Sequence, residues 1–157
     1  MLDLCGRATP YQLKQAAQVS VFHFWSVPHT QLYTECARLA EAGLLDERRE
    51  ASGRRRRTYR LTAAGRKALR AWRDDPNTDL YELRDPGLLK LFCGADPAAL
   101  AEAQLARHEQ RLDSYQELLV QSDMTDGMRL SLEAGIGHER EYIRFWSRLL
   151  EGRDEKG

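Results

Sequence analysis

The sequence predicts a mainly α fold with one small β hairpin: a winged helix-turn-helix followed by an antiparallel helical dimerisation domain. Three observations carry this. Two proline-opened helical patterns, beginning near Thr9 and Val27, precede two short strand-like runs around a glycine turn. The second half places apolar residues at alternating three- and four-residue steps. The charge is also divided. The 157-residue chain is neutral, with 24 basic and 24 acidic side chains. Yet residues 1–75 hold 14 Lys/Arg against 8 Asp/Glu, and residues 76–157 hold 10 against 16. A basic half beside an acidic half implies that the basic half meets a polyanion.

Each element follows in order. Thr9 and Pro10 read as N-cap and first helical residue, and "YQLKQAAQ" continues the helix with Leu13, Ala16 and Ala17 on one face. "VSVFHFWS" is β-branched and aromatic, without a clear helical period. Val27-Pro28 opens a second helix, with Pro28 in its first turn and Leu32, Cys36 and Leu39 buried; Gly43 stops it. "LLDERRE" and "RRTYRLT" pair as a hairpin whose tip holds Gly53 and the run Arg54–Arg57. Thr62 caps a helix expected to turn Ala64, Ala68, Ala71 and Trp72 inward, with Gly65 a small cost. The polar stretch 76–85 connects this winged helix-turn-helix, residues 1–75, to a helical domain, residues 86–157. There "LLKLFCGAD" is a short helix and Asp96-Pro97 opens a long one. Leu105, His108, Leu112, Tyr115 and Leu119 form a heptad seam interrupted only by His108. The last helix carries Leu132, Ile136, Ile143, Trp146 and Leu150 on one side. The seam suits pairing between two chains or packing within one; the two are compatible.

The layout suits duplex DNA. A second helix of this kind enters the major groove, where base edges are distinguishable. Its outward residues are His29, Thr30, Gln31, Tyr33, Thr34 and Arg38. The wing arginines, Arg54, Arg55, Arg56 and Arg57, would reach phosphates or the minor groove.

"TPYQLKQ", "VPHTQLYTECARLAEAGLL" and "SGRRRRTYRLTAAGRKAL" resemble the PadR family of transcriptional regulators. So do "LLKLFCG" and "EAGIGHEREYIRFWSRLLE" in the acidic half, so the resemblance spans nearly the whole chain. It implies a dimeric repressor on an inverted-repeat operator, with C-terminal helices packed across the two-fold axis and a small-molecule effector. Leu105, Leu112, Tyr115, Leu119, Ile143, Trp146 and Leu150 are the expected dimer contacts. Trp72, Phe92, Tyr142 and Trp146 are the expected contacts for an apolar or aromatic effector. Two departures stand out. The family's apolar first helix shrinks here to "MLDLC", and Arg55 stands where the wing often carries proline.

Other classes fit less well. No apolar run approaches the ~20 residues of a membrane span. Cys5, Cys36 and Cys93 are odd in number and far apart, as in a reduced cytoplasmic chain. His23, His29, His108 and His138 lack zinc-site spacing, and no cofactor is expected. "GIGHER" lacks the strand a phosphate loop requires, so Gly135 and Gly137 are expected to allow close helix packing. No nucleophile elbow exists, and Glu139 and Glu141 point apart on a helix, so no enzyme is expected. A winged-helix protein-interaction module and an enzyme's regulatory subunit are the competing readings.

Overall fold

The computed structural model describes residues 1–18, 20, 21, 24, 25, 28–50, 56–121 and 124–154. They form two compact units, Met1–Asp79 and Leu80–Gly157.

The first unit begins with α1 (Leu2–Cys5), a single turn. α2 (Pro10–Gln18) starts from a reciprocal cap: Thr9 Oγ1 accepts from the Gln12 amide at 3.2 Å, and Gln12 Oε1 accepts from the Thr9 amide at 2.9 Å. α3 (His29–Glu41) starts one residue later than expected. Pro28 is its N-cap, with ψ at 140° outside the helical range, so the proline precedes the first turn. Gly43, at φ +71°, ends α3 in the left-handed region.

β1 (Leu45–Arg49) and β2 (Arg57–Leu61) pair antiparallel, from Leu45 opposite Leu61 to Arg49 opposite Arg57. Ala8 bridges Tyr59 through two backbone hydrogen bonds of 2.9 and 3.0 Å, so the segment after α1 becomes a third edge of the wing. Arg7 ties the same segment to the Asp46 carboxylate. Ala8, Leu13, Cys36, Leu45 and Tyr59 are the buried core. Burial, followed by the nearby Glu35 carboxylate, pushes the Cys36 thiol pKa up.

α4 (Ala63–Asp74) starts from Thr62, whose hydroxyl accepts from the Gly65 amide at 3.0 Å. Its inward face is not the expected one. Ala64, Ala68, Ala71 and Trp72 are all exposed. Gly65 is buried instead, with Leu69 half-buried one turn on. The cause is a close backbone approach. A Cβ at residue 65 would overlap the Leu44 carbonyl oxygen and lie 3.1 Å from Leu61 Cδ2. The glycine therefore sets where α4 docks; the alanine stripe lies about a quarter turn to one side of it, and Trp72, seven residues on and on the same face as Gly65, is exposed.

In the second unit, Asp85 Oδ1 accepts from the Gly87 and Leu88 amides at 2.6 and 3.1 Å and caps α5 (Pro86–Phe92). α6 (Pro97–Gln121) and α7 (Asp126–Asp154) form an antiparallel pair, with His108 beside Glu139 and Tyr115 beside Gly135. Asp96 starts α6 by accepting from the Ala99 amide at 2.7 Å. The seam's polar interruption is resolved within the pair. Glu139, 2% exposed, accepts from His108 Nδ1 at 2.5 Å and has Arg111 at 3.7 Å. A buried carboxylate is tolerable when it is hydrogen-bonded and has a guanidinium close by in this way. Gly135 lies under the Tyr115 ring; Gly137 has nothing within 4 Å of its would-be Cβ, so the expected close packing holds at only one of the two glycines. No helix among the described residues is long and apolar enough to cross a membrane.

A candidate nucleic-acid interface

The exposed side of α3 carries Thr30, Gln31, Tyr33, Thr34 and Arg38. Thr30, Thr34 and Arg38 stand four residues apart and form one ridge; Gln31 joins it in the first turn, the part of such a helix that reaches base edges. Thr34 donates its hydroxyl to the Thr30 carbonyl at 3.1 Å, which fixes its rotamer. Arg38 donates twice to Glu35, at 2.8 and 2.9 Å. That hydrogen bond raises its pKa further, so a phosphate must compete with this carboxylate. The His29 side chain lies outside the described residues, as do Arg54 and Arg55.

On the wing, Arg56 and Arg57 are exposed just beyond the tip, which the Glu50 amide closes by donating to the Arg56 carbonyl at 3.1 Å. Beneath them Glu47 accepts from Arg49 at 2.5 Å and from the Tyr59 hydroxyl at 3.1 Å, with Arg57 at 3.9 Å. The Arg49 hydrogen bond is the largest of several effects that hold the Glu47 carboxyl below its usual range. Burial, then Glu47, push the Tyr59 hydroxyl up. Glu47 thus stays ionised and anchors the wing strand from the core side.

Tyr33 also lines a cleft of about 810 Å³ between α2 and the wing. Tyr11, Gln12 and Gln15 line it from α2, and Arg56 and Arg57 from the wing. The sequence reading did not single out the α2 side chains. Beyond their place in the "TPYQLKQ" stretch, their signal was polarity on the face away from Leu13 and Ala17, which any exposed helix shares.

The residues expected to join two chains divide. Tyr115 and Trp146 are buried by their own chain, Trp146 at 0% exposure, because α6 and α7 close over them. Leu105, Leu112, Leu119, Ile143 and Leu150 remain half-buried. Phe92, at 90% exposed, and Leu89 add a bare apolar face on α5 that heptad counting did not pick out. The expected effector quartet divides as well. Trp72, 74% exposed, belongs to the first unit, and Phe92 is exposed in the second. Tyr142 and Trp146 lie one turn apart on α7. The Tyr142 ring packs, tilted, against those of His108 and His138, at centroid distances of 4.9 and 4.5 Å. Burial, and then the Asp85 carboxylate, push its pKa up to about 12. Asp85 nonetheless caps α5 with Oδ1, and no hydrogen bond of good geometry reaches the Tyr142 hydroxyl or Trp146 Nε1 among the described residues.

Comparison with known proteins matches this architecture over both units. Residues 1–71 match the model of the transcriptional regulator PadR-like family, and residues 83–152 match that of the virulence activator alpha C-terminal region. The chain is 23% identical over 164 residues to the negative transcriptional regulator PadR of Bacillus subtilis (strain 168), covering 92% of this chain and 89% of the relative. A crystal structure of Bacillus subtilis PadR in complex with operator DNA superposes with a TM-score of 0.80 at 21% identity, covering 96% of this chain and 93% of that one. The structure of the same protein with p-coumaric acid gives 0.76 at 22% identity, covering 98% and 95%.

Proposed function

The chain belongs to the PadR-like family of transcriptional regulators, and we propose that it is a cytoplasmic, dimeric repressor that binds an inverted-repeat operator and releases it when an apolar or aromatic small molecule binds. The observation that carries this reading is the pairing of an exposed polar helix face, Thr30 to Arg38, with an arginine-bearing wing in one small unit. Residues 1–75 would read DNA, residues 86–157 would dimerise and take the effector, and 76–85 would connect them. The relative solved on operator DNA supports the DNA partner, and the p-coumaric acid complex supports an aromatic effector. On this chain the best-supported effector contacts are Tyr142 and Trp146, whose buried polar atoms lack well-aligned partners. A ligand bearing a hydrogen-bond acceptor beside an apolar ring matches that chemistry. It would release DNA only by binding one dimer conformation better than the other.

Gln31 is the proposed base reader. A glutamine pairs bidentately with adenine, and such a pair discriminates by ~1–3 kcal/mol. Gln31→Ala is expected to relax specificity at one or two base pairs per half-site, as read by selection from a random duplex library. Recovery of an unchanged motif removes Gln31 from the readers.

One recognition helix reads too few bases alone. Two, related by a two-fold axis, should demand half-site centres ~10 bp or a multiple apart. Sedimentation at micromolar concentration tests the dimer. Leu112→Asp, placing charge on the half-buried seam, is expected to give monomers with much weaker operator binding. A wild-type monomer that binds the inverted repeat tightly and without cooperativity overturns the dimer; a dimer that binds no duplex favours a protein-interaction module instead.

A further inference from the structure

The cleft between α2 and the wing sets two arginines of the wing run opposite α2 side chains to which the proposed DNA-binding surface gives no role. None of the residues that line it is acidic, and two are arginines. Tyr11, 55% exposed, stands on its α2 wall. Gln15 Nε2 donates to the Tyr11 hydroxyl oxygen at 3.2 Å. That bond occupies the oxygen as acceptor and leaves the hydroxyl proton to donate outward, polarised by the amide. Gln12 is held by the Thr9 cap, which keeps this wall rigid. The cleft adjoins the proposed readers, because Tyr33 of α3 forms part of it. A chain of negative charge running from the major groove towards the wing tip would pass through here.

We propose that this cleft is a phosphate clamp for the DNA backbone, in which Tyr11, positioned by Gln15, donates to a phosphodiester oxygen while Arg56 and Arg57 supply the opposing charge. The proposal rests on the DNA-binding reading and adds α2 to it. It makes Tyr11 a contact that fixes register on the duplex without reading bases. Because a hydroxyl carries no charge, it displaces no counterion; the arginines across the cleft do.

The test uses the full-length protein and a duplex that the wild type selects from a random library, with an unrelated duplex as control. Tyr11→Phe deletes one exposed oxygen and leaves the ring, so folding is not at issue. Binding to both duplexes is expected to fall by roughly 10-fold per half-site, the scale of one hydrogen bond to a charged group, and so by roughly 100-fold for the dimer. The selected motif and the slope of log K against log salt should both stay at their wild-type values. Gln15→Ala should reproduce a smaller share of the loss in the wild-type background and none in the Tyr11→Phe background. Ethylation interference gives a readout that a structural role would not move: one phosphate per half-site that matters to the wild type should cease to matter to Tyr11→Phe. Equal affinity of Tyr11→Phe and wild type, or an unchanged ethylation pattern, overturns the clamp while leaving the DNA-binding reading intact. A wild type that binds no duplex at low salt overturns both. A folded wild type whose cleft instead takes a small aromatic anion, with anion binding weakened by Tyr11→Phe and duplex binding not, overturns the clamp as well.

Discussion

Replacing Arg54, Arg55, Arg56 and Arg57 with alanine is expected to weaken binding to every duplex by about 100- to 1,000-fold per half-site at physiological salt, with the preferred sequence nearly unchanged. Phosphate contacts act through counterion release, and each lost contact flattens the log K against log salt slope by ~0.9. Four full contacts per protomer would therefore remove about 3.6 from the slope for each half-site, or about 7.2 for the dimer on its operator. The wing lowers this figure, because Arg57 already lies 3.9 Å from Glu47 in the unbound protein. Glu47 stays ionised through its bond to Arg49, so part of the Arg57 charge is neutralised before DNA arrives. The expected loss of slope is nearer 3 per half-site, about 6 for the dimer. Arg57→Ala alone should flatten the slope less than Arg56→Ala alone. Fluorescence anisotropy over a salt series measures both quantities. A quadruple variant with the wild-type slope shows that the wing does not touch phosphates.

Gly65→Ala is expected to destabilise the first unit by about 3 kcal/mol or more, although alanine is the better helix former by roughly 1 kcal/mol. The new methyl would occupy the position of the Leu44 carbonyl oxygen, which is main chain and has no rotamer to move into. That carbonyl also accepts from the Thr62 amide and hydroxyl at 3.1 Å each, so displacing it loosens the cap of α4 as well. Ala64→Gly, on the exposed side of the same turn, should cost only the propensity difference. Thermal unfolding separates the two outcomes. A Gly65→Ala protein as stable as the wild type would mean that α4 does not dock through this face.

Much of the architecture is legible because its signals are local. Thr9, Thr62 and Asp96 each sit three residues before the amide they cap, and Gly43 ends α3 with a conformation that other residues resist. The hairpin follows from two short runs and a glycine turn, and the family resemblance follows from the order of these pieces. Such features are decided within about four residues by the backbone's need for hydrogen-bond partners. The heptad spacing likewise marks which residues of α6 and α7 meet a helix, but not whose helix.

The remainder depends on segments far apart in the chain. A stripe of alanines has little volume and weak preference, so periodicity could not tell that α4 docks through Gly65 rather than through Ala64, Ala68 and Ala71. His108 looked like a flaw in an apolar seam until Glu139, 31 residues away, proved to be its partner. Tyr11 and Gln15 are ordinary exposed residues in the sequence; they become the wall of a basic cleft only where β2 and α3 stand opposite them. Caps and turns are settled by the nearest amide, so the sequence by itself determines them. Faces, buried charge pairs and clefts are settled by the free energy of closing two distant surfaces together, which depends on shape and charge on both sides and is defined only once the chain has folded.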